Sequence, residues 1–278
     1  MEQPLFFVQN ADRAITSKDF KHLEPNQLRV HNQFYTLQGE GIFAGKPAHF
    51  LRLAGCNFGA KDPYCLFCDT SFQYDNGKDM YFDAVLDRMQ ADSATCNLIV
   101  VTGGEPSLQH TLPNFIDYAL HGPSYFENMN GFVQLESNGT GVGVLRDCAD
   151  VSSYVTIVVS PKASHKGYGD ISPLIKAFEV DGNLDNLYLK YVVEASPESP
   201  HSQVPPQALE FAQSCPEHVY LSPAAVYKRA YQGEVSNAWD STLIDHERTA
   251  RNYSYAAELC LKHSLRLSIQ QHLFCALA

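Results

Sequence analysis

Residues 98–106 read Leu98-Ile99-Val100-Val101-Thr102-Gly103-Gly104-Glu105-Pro106, a short apolar run that ends abruptly in a polar, glycine-bearing turn. An unbroken branched-aliphatic run of this length predicts a strand buried on both faces, as in a parallel sheet. The pattern repeats along the chain. Residues 49–54 lead into Gly55-Cys56-Asn57, residues 132–136 into Ser137-Asn138-Gly139-Thr140, and residues 155–160 into Pro161-Lys162. Residues 187–193, 218–222 and 265–270 are further strand candidates. Helical spacing marks residues 82–91, 112–120, 205–213 and 245–263. Strands alternating with helices imply a parallel α/β sheet, and chemistry in such folds gathers where the strands end. The polar motifs fall at those ends. Residues 122–131, 163–173 and 195–206 read as loops, and none is long enough for a domain linker, so residues 1–278 are expected to form one domain.

The chain has 278 residues, 45% of them hydrophobic, enough for a sizeable core. Twenty basic and 31 acidic side chains give a formal charge of −11, which argues against nucleic-acid or anionic-membrane partners. No leader peptide is visible and no stretch approaches the roughly 20 apolar residues of a membrane span, so a soluble, cytoplasmic protein is expected.

Eight cysteines occur, three of them clustered: Cys56, then eight residues, then Cys65 and Cys68 two residues apart. Thiolates ligate iron–sulfur clusters, and three ligands to a 4Fe–4S cluster leave one iron open to chelate a small molecule. The spacing alone also admits a structural zinc whose fourth ligand is one of the 11 histidines. Cys96, Cys148, Cys215, Cys260 and Cys275 read as packing residues. The Gly-Gly-Glu turn after a strand, downstream of the cysteines, favours the cluster: adjacent glycines let a ligand approach the backbone closely, and Glu105 can accept hydrogen bonds from an ammonium or hydroxyl.

Seven stretches carry a resemblance. They are residues 34–41 (FYTLQGEG), 50–57 (FLRLAGCN), 65–72 (CLFCDTSF), 101–109 (VTGGEPSLQ), 136–140 (ESNGT), 160–162 (SPK) and 267–272 (LSIQQH). Together, and in this order, the chain resembles radical S-adenosylmethionine enzymes, specifically the 7-carboxy-7-deazaguanine synthase family. The resemblance implies an incomplete α/β barrel of about six parallel strands. It also implies conversion of 6-carboxy-5,6,7,8-tetrahydropterin to 7-carboxy-7-deazaguanine with loss of ammonia, for deazapurine nucleosides such as queuosine. The implied cofactors are a 4Fe–4S cluster, S-adenosylmethionine and Mg2+. The implied partners are the pterin substrate, an electron donor such as flavodoxin and a second copy in a homodimer.

Two departures stand out. The family's common spacing between the first two cysteines is three residues rather than eight, so this chain has an expanded loop. Ser137 stands where the family often has threonine, and both carry a hydroxyl.

Residue by residue, the resemblance assigns the cluster to Cys56, Cys65 and Cys68 and a magnesium contact to Thr70, whose hydroxyl would alternatively cap a helix. Phe67, Asp69, Gly104, Glu105, Ser137, Asn138, Ser160 and Lys162 are placed around S-adenosylmethionine. Leu37, Gln38, Gly39, Thr102, His272 and the terminal carboxylate of Ala278 are placed around substrate. Glu40 is a proton acceptor or substrate contact. Arg52, a charge inside the apolar run FLRLAGC, is expected to face inward and grip the substrate carboxylate. A glycyl-radical activase would share the cluster and Gly-Gly-Glu but not TLQGEG, Arg52 and the His272 tail.

Overall fold

A computed structural model describes residues 15–58, 77–123, 125–126, 130–164, 167–226 and 244–275. Its centre is a nine-stranded sheet in the order β11-β10-β9-β6-β5-β4-β2-β1-β3. The parallel part comprises β2 (Pro47–Leu53), β4 (Leu98–Gly103), β5 (Phe132–Ser137), β6 (Val155–Val159), β9 (Leu187–Val193), β10 (Val219–Pro223) and the short β11 (Arg266–Leu267). β1 (Gln27–Leu37) and β3 (Lys78–Tyr81) extend it antiparallel at one edge.

Helices α1 (Phe82–Asp92), α2 (Leu112–His121), α3 (Val142–Val151), α4 (Ser172–Asp181), α5 (Pro206–Ser214) and α6 (His246–His263) follow the strands. Their buried residues share one core with alternate strand residues such as Leu51, Leu53, Ile99, Val101, Val133, Leu135, Leu189 and Tyr191. The helices therefore cover one face. Because side chains alternate along a strand, Phe50, Arg52, Val100, Thr102, Gln134, Glu136 and Lys190 point to the other. That inner face carries only a small apolar floor, Ala48, Leu98 and Val100 with Phe43, Phe50 and Phe132 against it. Covered on one side and open at its edges, the sheet is an incomplete α/β barrel.

Each expected strand is present, although residues 265–270 shorten to β11 because the polar residues beyond Leu267 turn to bond the loop after β1. The expected loop at 163–173 is corrected: it holds a small hairpin of β7 (Ala163–Ser164) and β8 (Gly167–Tyr168), and α4 begins at Ser172. A final turn, α7, spans His272–Cys275.

Candidate active site

The C-terminal ends of β2, β4, β5 and β6 form one rim. Gly55 has φ +93°, where the ring of Phe20 leaves no room for a side chain. Cys56 follows, half-buried, its carbonyl accepting from the Ile15 amide at 3.2 Å. The end of β4 then lies directly on this turn. Gly104 N donates to Leu53 O at 3.2 Å and Glu105 N to Gly55 O at 2.7 Å. A Cβ at Gly104 would sit 2.1 Å from Gly55 O and 2.9 Å from the Cys56 Cβ. The paired glycines thus admit the chain's own backbone, setting Glu105 beside the cysteine turn.

Glu105 is fully buried. Its Oε1 accepts from Ser107 N (3.0 Å), Ser107 Oγ (2.5 Å) and Ser137 Oγ (2.8 Å), and its Oε2 from Asn138 N (2.6 Å). These bonds lock β4 to β5. Asn138 then reaches back across the rim. Its Nδ2 donates to Asn57 Oδ1 at 2.8 Å, and its Oδ1 accepts from both N (3.0 Å) and Oγ1 (2.7 Å) of Thr140. On β6's side, Ser160 N donates to Ser137 O at 2.7 Å and Lys162 Nζ to Ser160 Oγ at 3.2 Å. Gly104, Glu105, Ser137, Asn138, Ser160 and Lys162 therefore lie along one continuous edge that includes Cys56.

Below the rim, Arg52 is in register with Thr102 on β4, and its guanidinium stands 5.0 Å from the centre of the Phe34 ring. Leu37 ends β1, half-buried. In the turn after it, Gln38 is buried. Its Oε1 accepts from Glu40 N at 3.2 Å, while its Nε2 has no hydrogen-bond partner among the described residues. An unpaired buried amide is costly, so Gln38 suits a ligand with an acceptor to offer. The segment before α7 clamps this turn: Gln271 N donates to Gly39 O at 3.0 Å and Gly41 N to Ser268 Oγ at 3.1 Å. His272 follows at the start of α7. Its side chain, and Cys65, Phe67, Cys68, Asp69, Thr70 and Ala278 entirely, lie outside the described residues.

Sequence reasoning missed three residues. Lys190, buried on β9, donates to Glu40 Oε2 at 2.6 Å and to Glu136 Oε2 at 2.9 Å. Glu136 Oε1 accepts from Gln134 Nε2 at 2.5 Å. Burial alone would lower the Lys190 ammonium, but the two carboxylates more than offset this and hold it well above the usual lysine range. The signal was available: Lys190 interrupts LYLKYVV just as Arg52 interrupts FLRLAGC. The third is Gln109, fully buried, whose amide bonds Arg29 N and O and the Ala54 carbonyl, bracing the cysteine turn from behind.

A half-barrel with a cysteine turn at the end of its first parallel strand, and a Gly-Gly-Glu turn packed on it, is the framework of a radical S-adenosylmethionine enzyme. No family model matches the chain. Among curated relatives, the 7-carboxy-7-deazaguanine synthase of Rickettsia prowazekii is 30% identical over 281 residues, spanning 96% of this chain and 94% of its own. That of Rhodospirillum rubrum is 30% identical across 88% of this chain and 90% of its own. The chain belongs to the 7-carboxy-7-deazaguanine synthase family. The crystal structure of QueE from Escherichia coli shares the fold, with a TM-score of 0.54 at 20% identity over 94% of this chain and all of that one.

Radical relatives imply a 4Fe–4S cluster and S-adenosylmethionine. Of the residues the resemblance assigns to the cluster, Cys56 alone is among those described. Cys56 stands at the rim beside Gly104 and the buried Glu105, Ser137 and Asn138 that the resemblance places around S-adenosylmethionine. Of its described residues, no helix is long and apolar enough to cross a membrane.

Proposed function

We propose that this enzyme converts 6-carboxy-5,6,7,8-tetrahydropterin to 7-carboxy-7-deazaguanine and ammonia, acting as a carbon–nitrogen lyase in the supply of 7-deazapurines for queuosine-type nucleosides. The observation that carries the reading is the inner face below the Cys56 turn. There a guanidinium, a hydroxyl in register with it and a buried amide lacking a partner converge with a lysine–carboxylate cluster. Such a set matches a bicyclic, amide-like ring bearing one carboxylate.

The cluster and S-adenosylmethionine supply the hydrogen-abstracting radical when bound. The chain's own groups do the rest. Arg52 binds the substrate carboxylate through its planar fork, with the Phe34 ring fixing the guanidinium plane. Thr102 stands in register beside it. Gln38 and the backbone of Leu37 and Gly39 read the ring edge, and Glu40 takes or holds a proton there. Ser137, Asn138, Ser160 and Lys162 line the S-adenosylmethionine side of the rim, and Glu105 holds that rim in shape. Cys56, Cys65 and Cys68 hold the cluster. Phe67 and Asp69 complete the cofactor side, and Thr70 offers a hydroxyl to Mg2+ with substrate oxygens completing its shell. His272 and the Ala278 carboxylate close the substrate side. The enzyme acts as a single-domain cytoplasmic homodimer that receives electrons from a flavodoxin-like donor.

Support comes from family membership and from the separation of a cofactor rim and a substrate floor on the same sheet face. The test is anaerobic reconstitution with iron and sulfide, followed by incubation with the carboxypterin, S-adenosylmethionine, reductant and Mg2+. Mass spectrometry should find 7-carboxy-7-deazaguanine. Formation of 5′-deoxyadenosine without that product rejects the substrate. A colourless, zinc-containing protein rejects the radical chemistry.

A further inference from the structure

Lys190 is a lysine buried on the inner face of the sheet. It lies in the middle of β9, and one nitrogen bridges two carboxylates that come from different elements. Glu136 projects from β5, two strands away. Glu40 descends from the turn at residues 38–41, which the segment at 268–271 holds from above. Among the described residues on this face, Tyr220, in register with Lys190 on β10, and Tyr253 of α6, which feels the charge of Glu40, are pushed toward their neutral forms by burial, and Arg52 on β2 is a second cation. Lys162 belongs to the rim and donates to Ser160. Arg266 stacks on the far side of Tyr220, at 4.9 Å from its ring. The ammonium therefore joins the two carboxylates directly, through one nitrogen.

We propose that Lys190 is a positioning residue for substrate: by bridging Glu40 and Glu136, it fixes the Gln38–Glu40 turn at the height the pterin ring requires. The proposal deepens the assigned reaction and rests on it for the identity of the ring. Two consequences follow from the geometry. Without the ammonium, two buried carboxylates lose their shared donor and repel one another, a repulsion that protonation of either one relieves. The turn bearing Gln38 and Glu40 also loses its side-chain tie to β9, so the substrate is bound in the wrong place while the rim is untouched.

The test compares wild type with Lys190→Met and with the double variant Glu40→Gln/Lys190→Met. The first readout is urea unfolding of the cofactor-free protein between pH 8 and pH 6. Lys190→Met should be destabilised most at pH 8 and recover on acidification, whereas the double variant, with one carboxylate neutralised, should show no such recovery. The second readout uses reconstituted enzyme. Lys190→Met should lose about 100-fold in kcat for the carboxypterin, with S-adenosylmethionine affinity within about 2-fold of wild type. It should also release 5′-deoxyadenosine in excess over product. A destabilisation that is the same at both pH values, or kcat within about 3-fold of wild type, overturns the proposal. Where Lys190→Met does not fold, soluble recovery of the double variant supports the pairing, and its failure to fold contradicts it. Should wild type not turn over the carboxypterin, the substrate assignment fails, and the unfolding comparison alone still decides whether Lys190 holds the pair.

Discussion

Asn138 Nδ2 donates a 2.8 Å hydrogen bond to Asn57 Oδ1, joining the end of β5 to the residue that follows Cys56. The pair is closed into a ring by Thr140, whose Oγ1 accepts from Asn57 Nδ2 at 2.8 Å and donates to Asn138 Oδ1. The cysteine turn is therefore held by side-chain amides from a strand two places away in the sheet, and by the β4 backbone between them.

Replacing Asn138 by Ala removes the bond to Asn57 and the acceptor for Thr140. Stability of the cofactor-free protein should fall by about 1–3 kcal/mol in urea unfolding. Iron bound per chain after reconstitution should fall as well, because the first cluster ligand is no longer held. Full iron content in a destabilised variant would mean that the ring shapes the rim without holding Cys56.

Arg52→Ala removes the guanidinium that lies beside Thr102 and on Phe34. A charge-assisted pair with the substrate carboxylate is lost, so kcat/KM for the carboxypterin should fall by about 100-fold or more. The visible absorbance of the cluster should be unchanged. Loss of that absorbance would place Arg52 in the support of the cluster instead.

His201 gives the fold a pH dependence of defined sign. Burial pushes its imidazole down to about 4, its bond to the Val192 carbonyl opposes this, and the Lys162 charge adds to it. The folded value lies below the ordinary 6.5, so the unfolded chain binds the extra proton first. The contribution is complete above about pH 6.5 and is lost as pH falls toward 4, amounting to about 3 kcal/mol at most. His201→Gln should therefore reduce the loss of stability between pH 7 and pH 4.5. An unchanged acid dependence would show that carboxylates elsewhere account for all of it.

Most parallel strands were legible because they are short, mainly apolar runs, and β2, β4, β5 and β6 each stop at a polar motif. β1 was not, and its ladder explains why. A register shift between Val30 and Asn32 breaks the two-residue period, so burial moves from Leu28 and Val30 to Gln33. α3 has Gly141 just before it and Gly143 in its first turn, a poor helix former, and is held by the burial of Leu145, Cys148 and Ala149. In the site, Arg52 was readable as a charge inside an apolar strand. Lys190 carries the same mark, but its partners lie about 50 and 150 residues away, a pairing that spacing rules do not reach. The role of Gly103 and Gly104 was half legible: the need for close approach was clear, but the approaching groups are the backbone of Leu53 at Gly103 and the Gly55 carbonyl at Gly104 rather than a ligand.

The most direct test of the central claim uses carboxypterin deuterated at the carboxylate-bearing carbon. In an anaerobic turnover with the reconstituted enzyme, deuterium should appear in 5′-deoxyadenosine while 7-carboxy-7-deazaguanine accumulates. Unlabelled 5′-deoxyadenosine, with labelled substrate recovered intact, would contradict the account of this cavity as the place where that carbon meets the radical.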